Sequence, residues 1–145
     1  MKAWESMLEP KKTKYRKQHK GVGGGKKHLG ASLVFGNFGL KALEEGQISQ
    51  RQIESVRQVL ARFVKRSGRL WIRIFPSRSV TFKGIEVAMG GGKGDVIGYD
   101  VPVQAGRMLF ELDGIQELDA KEAFRKASHK LPIKTRFIKR LYHES

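Results

Sequence analysis

Between Met1 and His28 the chain carries nine cations against two carboxylates. The cations are Lys2, Lys11, Lys12, Lys14, Arg16, Lys17, Lys20, Lys26 and Lys27, and the carboxylates are Glu5 and Glu9. Gly21, Gly23, Gly24 and Gly25 add a run of small residues to the same stretch. A segment so charged and so poor in apolar surface cannot bury enough area to offset the entropy of ordering it. It predicts a basic arm over residues 1–28, disordered in isolation, and it leaves any core to the rest of the chain. Tyr15 and His19 lie among the charges, and flat rings between cations suit stacking on bases beside phosphates. The arm is therefore expected to order on RNA, with an ordinary solvated tail as the plainer alternative.

The imbalance extends beyond the arm. The 145 residues hold 29 Lys and Arg against 14 Asp and Glu, a net charge of +15. Such an excess repels itself in a compact state unless a polyanion offsets it. No run approaches the ~18 apolar residues of a spanning helix, and no apolar stretch follows the basic start as in a secretory signal. A membrane partner is thus the weakest reading, and an intracellular location is the expectation. The absence of cysteine excludes disulfides and Cys-based zinc sites. His19, His28, His129 and His143 share no ligand spacing, so neither metal nor cofactor is expected.

Residues 29–133 carry the pattern of a globular core, and residues 134–145 read as a basic C-terminal tail. Leu33–Phe35 predicts a short strand, Gly36–Gly39 a turn, and Leu40–Leu43 a further strand. Ser49 and Gln52 have capping-box spacing, with Ile48 and Ile53 at the staple positions. Ile53, Val56, Leu60, Phe63 and Val64 then recur on one helical stripe, and Gly68 can end the helix. Leu70–Phe75 is apolar on both faces, which predicts a central strand ended by Pro76. Val80–Val87, Tyr99–Val103 and Arg107–Asp113 are further strands. A second helix is expected from about Asp119, capped with Glu122, with Ala120, Ala123, Phe124, Ala127 and Leu131 inward and Pro132 at its end. Two helices and several antiparallel strands predict an α+β fold: an antiparallel or mixed sheet, the helices on one face, basic extensions at both ends. There is no internal repeat.

Met89-Gly90-Gly91-Gly92-Lys93-Gly94-Asp95 is the one candidate for nucleotide chemistry. A P-loop requires Ser or Thr after the lysine, and here Gly94 follows. No register fits the dinucleotide fingerprint, and strands flank the segment on both sides. It reads better as a loop whose bare backbone can approach RNA closely. No nucleophile–base arrangement stands out elsewhere, so the chain is not expected to be an enzyme.

Five blocks together resemble one family. They are Met7–Gly21, Phe35–Ala42, Lys65–Pro76, Met89–Gly94 and Lys130–Thr135. In this order they are similar to the blocks of the bacterial-type large-subunit ribosomal protein L-sixteen family. The resemblance implies a structural constituent of the large ribosomal subunit, in the ribosome of a bacterial cytoplasm or of an organelle. Its implied partners are large-subunit rRNA, aminoacyl-site tRNA and neighbouring ribosomal proteins. Ala88 stands where the family usually has Arg, Gly91 where it usually has Lys, and Met1–Ser6 precede its usual start. The expected RNA-binding residues are Lys11, Lys12, Lys14, Tyr15, Arg16, Lys17, His19, Lys20, Lys26 and Lys27 in the arm. Gly90, Gly91, Gly92 and Lys93 join them in the loop, Arg73 and Arg78 at or after the Leu70 strand, and Lys134 and Arg136 in the tail. Arg73 suits equally an ion pair with Glu86 or Glu111. A free RNA chaperone or translation regulator is the alternative function.

Overall fold

Ser49 and Gln52 close on each other as their spacing predicts. The Gln52 N–H donates to Ser49 Oγ at 3.2 Å, and the Ser49 N–H donates to Gln52 Oε1 at 2.9 Å. These bonds satisfy donors that a helix start otherwise leaves orphaned. Helix α1 then runs Gln50–Val64 and buries Ile53, Val56, Leu60 and Val64. Glu54 is buried on the same helix, gripped by the Arg57 guanidinium at 2.6 Å. The Gly68 N–H donates to the Val64 carbonyl and closes the helix.

The chain is described here from a computed structural model covering residues 9–10, 30–64, 67–82 and 95–141. Its strands are β1 (Phe38–Ala42), β2 (Gly46–Ser49), β3 (Arg69–Ile72), β4 (Arg78–Phe82), β5 (Asp95–Val103), β6 (Met108–Asp113) and β7 (Thr135–Lys139), and helix α2 spans Glu117–Ser128. The strands form two antiparallel sheets, one ordered β3-β6-β1-β7 and the other β2-β5-β4. The α+β expectation holds, with the strands divided between two sheets. The helices pack on each other, α1 against β2, β3 and β5, and α2 against β1 and β7. Leu40, Phe110, Leu112, Ile53, Leu60 and Phe124 are among the buried side chains between them.

Several local expectations change. Leu33–Phe35 forms no strand, and β1 starts at Phe38, inside the expected turn. The reason is that the N–H groups of residues 34–36 converge on one carboxylate, Glu111, and so are not available to a ladder. The Leu70 strand ends at Ile72 and lies at a sheet edge, whereas β6 is central and buried on both faces. Trp71 owes its cover to Phe35, stacked on it at 5.9 Å, rather than to another strand. Helix α2 starts two residues before Asp119, from Gln116, with no side-chain cap. Glu122 turns to Arg125 instead, and Glu117 and Asp119 in the first turn complement the helix dipole.

The largest change is at the C-terminus. Thr135–Lys139 is a strand paired with β1, so the folded core continues past residue 133. Phe137 contacts Phe38 at 5.8 Å and Phe124 at 6.0 Å between ring centroids, while Arg136 projects from the other face. The β4 strand is seen as Arg78–Phe82, and the rest of the expected Val80–Val87 strand lies outside the described residues.

Candidate nucleic-acid interface

The four-stranded sheet has a helix face and an outer face. Direct cross-strand partners share a face, so Leu40, Phe110 and Phe137 fall on the helix side. Gly39, Glu111, Trp71, Lys41 and Arg136 fall on the outer side. Residues 30–36 run across the middle of that outer face. Gly39 lets them approach, since a Cβ there would collide with Leu33 and Met108.

Glu111, fully buried, holds this segment down. Its Oε1 accepts from the N–H groups of Val34, Phe35 and Gly36 at 2.9, 3.0 and 3.1 Å. Successive amides turned to one oxygen form an anion nest, here filled by the protein's own carboxylate. Its Oε2 accepts from Arg73 Nη1 at 2.9 Å, and the same nitrogen donates to the Ser32 carbonyl at 2.7 Å. The Arg73 guanidinium lies 5.7 Å from the Phe35 ring centroid. Arg73 thus pairs with Glu111, one of the two partners open to it in the sequence. Arg107 extends the arrangement by donating to the Arg73 carbonyl.

Arg78 is committed in the same way. It faces Asp100 across β4 and β5, with Nε to Oδ1 at 2.8 Å and Nη2 to Oδ2 at 3.1 Å. Both side chains are about nine-tenths buried. The two arginines expected to contact RNA therefore already hold carboxylates inside the fold.

Lys134 and Arg136 are exposed. The backbone of Lys134 is fixed at both groups: its N–H donates to Glu44 Oε1, and its carbonyl accepts from the Leu43 N–H. Lys11, Lys12, Lys14, Tyr15, Arg16, Lys17, His19, Lys20, Lys26, Lys27, Gly90, Gly91, Gly92 and Lys93 lie outside the described residues. Reading the sequence missed Lys41 as a surface cation beside Arg136. The available signal was the alternation of Thr135, Phe137 and Lys139 with Arg136 and Ile138, which marks a strand.

Two ion pairs on the helices shift their own groups. Arg125 bonds Glu122 at 2.7 Å, which holds the Glu122 carboxyl below its ordinary range. The bond to Glu54 raises the Arg57 guanidinium. Among the described residues no group of His, Cys, Asp and Glu is arranged to hold a metal, and no helix is long and apolar enough to cross a membrane.

The family model described as ribosomal protein L16p/L10e matches residues 10–138. The chain belongs to this family. A curated relative from Halorhodospira halophila, named "Large ribosomal subunit protein uL16", is 50% identical over 134 residues, covering 92% of this chain and 98% of its own. One of the same name from Allorhizobium ampelinum is 52% identical over 135 residues, covering 93% and 98%. The family match runs from before the described segment at residue 30 through all but the last residue of β7. The matched span takes in both sheets and both helices of this chain.

Proposed function

We propose that this chain is a structural constituent of the large ribosomal subunit that binds large-subunit rRNA near the aminoacyl-tRNA site and contacts tRNA there. Family membership supplies the subunit. The observation that carries RNA binding is the division of charge. The carboxylates Glu111, Asp100 and Glu54 are taken up by Arg73, Arg78 and Arg57 within the fold, while the chain retains a net charge of +15. That excess resides largely in the arm and on exposed positions, where only an external polyanion can offset it.

In this reading the core docks on rRNA by shape and phosphate contacts. The cations from Lys11 to Lys27 neutralise phosphates between RNA helices, with Tyr15 and His19 stacking among them. Lys134 and Arg136 meet RNA at the sheet edge. The loop of Gly90, Gly91, Gly92 and Lys93 approaches an RNA or tRNA backbone, with Lys93 as its cation. Neighbouring ribosomal proteins complete the surroundings, and the role involves no catalysis.

The test is the position of an epitope-tagged copy in a ribosome sedimentation profile, before and after a high-salt wash. It should migrate with large subunits and survive the wash. A copy released readily by salt would instead support a free RNA chaperone or regulator. A photo-crosslinker in place of Lys93 should capture tRNA in translating ribosomes, and its failure to do so would remove the tRNA contact.

A further inference from the structure

The register of β1 and β7 sets Lys41 directly opposite Arg136 on the outer face of the sheet. Side chains so opposed have their Cβ atoms about 4.5–5.5 Å apart, and like charges there destabilise a sheet. Among the described residues neither side chain has an ion pair or hydrogen bond. Across the sheet the next partner of Lys41 is Met108, which is neutral. Glu44, just beyond the end of β1, accepts from the Lys134 N–H instead.

The neighbouring positions sharpen the contrast. Arg69 lies opposite Asp113, Arg78 opposite Asp100, and Trp71 opposite a Glu111 already bonded to Arg73. Lys139 faces Phe38 across β1 and β7 and reaches Glu117 on α2 instead. Segment 30–36 is bonded over Glu111, at the neighbouring row of the sheet, and Arg136 at the edge strand stays exposed.

We propose that Lys41 and Arg136 together form a phosphate-binding site for rRNA on the outer face of the four-stranded sheet, at its β7 edge. The proposal rests on the rRNA-binding reading above and assigns it a specific pair. The planar guanidinium fork takes two phosphate oxygens, and the ammonium adds a mobile point charge beside it. The bound phosphate then replaces the missing carboxylate. The pair therefore serves binding and works against the stability of the free chain.

The experiment uses the full chain with Lys41→Gln, Arg136→Gln and the double substitution. Two quantities are read: affinity for large-subunit rRNA as a function of salt, and the melting temperature of the free protein. The double substitution should weaken binding several-fold and lower the slope of log K against log salt by about 0.7–0.9, the loss of one phosphate contact, and each single substitution by less. The melting temperature should hold or rise. Lys41→Arg, which keeps the charge, should bind as the wild type does. An unchanged slope in the double variant would overturn the proposal. So would a lower melting temperature, which would mean that the pair supports the fold. Loss of association with an acidic ribosomal protein, with rRNA binding intact, would assign the pair to that partner instead. Failure of the wild-type chain to bind rRNA at all would sink the broader reading first and is recognisable as such.

Discussion

Two cross-strand pairs occupy equivalent positions in the two sheets and have opposite electrostatics. In the three-stranded sheet Arg78 faces Asp100, buried and doubly hydrogen-bonded. In the four-stranded sheet Lys41 faces Arg136, at a partly exposed edge with no ion pair to either among the described residues. The first pair is complete within the fold, and the second has no counter-ion among the described residues, the place the proposed phosphate would take. Arginine count alone therefore does not tell a cation held inside the fold from one left at its surface. Arg73 and Arg78 hold carboxylates within the fold, while Lys41 is inconspicuous in the sequence and has no ion pair among the described residues.

Three substitutions test the difference. Glu111→Ala has the largest expected effect. It leaves Arg73 and three amides of residues 34–36 without their acceptor, and breaking such a buried pair costs about 3–5 kcal/mol. Chemical denaturation should show the loss, and the segment at residues 30–36 should lose hydrogen-exchange protection. Asp100→Ala should cost somewhat less, about 2–4 kcal/mol, because its pair keeps slight solvent access. Lys41→Glu should do the reverse in the free chain. Turning a like pair into an opposite one should stabilise it by about 0.2–1 kcal/mol while weakening attachment to the large subunit.

The sequence made these outcomes legible to different degrees. The start of α1 was readable because Ser49 and Gln52 satisfy each other within one turn. The start of α2 was not, since Gln116 provides no side-chain cap. The sequence left Arg73 open to Glu86 or Glu111 across the sheet, and Glu111 is the one it holds. The nest on Glu111 was invisible, because its donors lie 75–77 residues away along the chain. Thr135–Lys139 resembled a tail because its cations dominate the composition. Its Phe137, partly buried against Phe38 and Phe124, packs it onto the sheet as a strand. The site was therefore legible as a surplus of charge. Which cations remain unpaired depended on register, which composition does not specify.

The smallest effect concerns a pair that solvent already screens. The carboxyl of Glu122 is held below its ordinary range chiefly by its bond to Arg125. A carboxylate with a depressed folded pKa adds stability above its unfolded value and loses it as pH falls through the folded one. Glu122→Gln should thus slightly flatten the acid limb of the stability–pH curve, and added salt should remove most of the difference. The wild-type and variant curves should meet at low pH, where the carboxyl is protonated in both states.

The most direct test of the division between paired and unpaired cations is a density map of large subunits containing this chain. It should show an rRNA phosphate within hydrogen-bonding reach of both Lys41 and Arg136, with Arg73 still on Glu111 and Arg78 still on Asp100. A map with open solvent over Lys41 and Arg136, or with Arg73 and Arg78 swung out onto RNA, would contradict it.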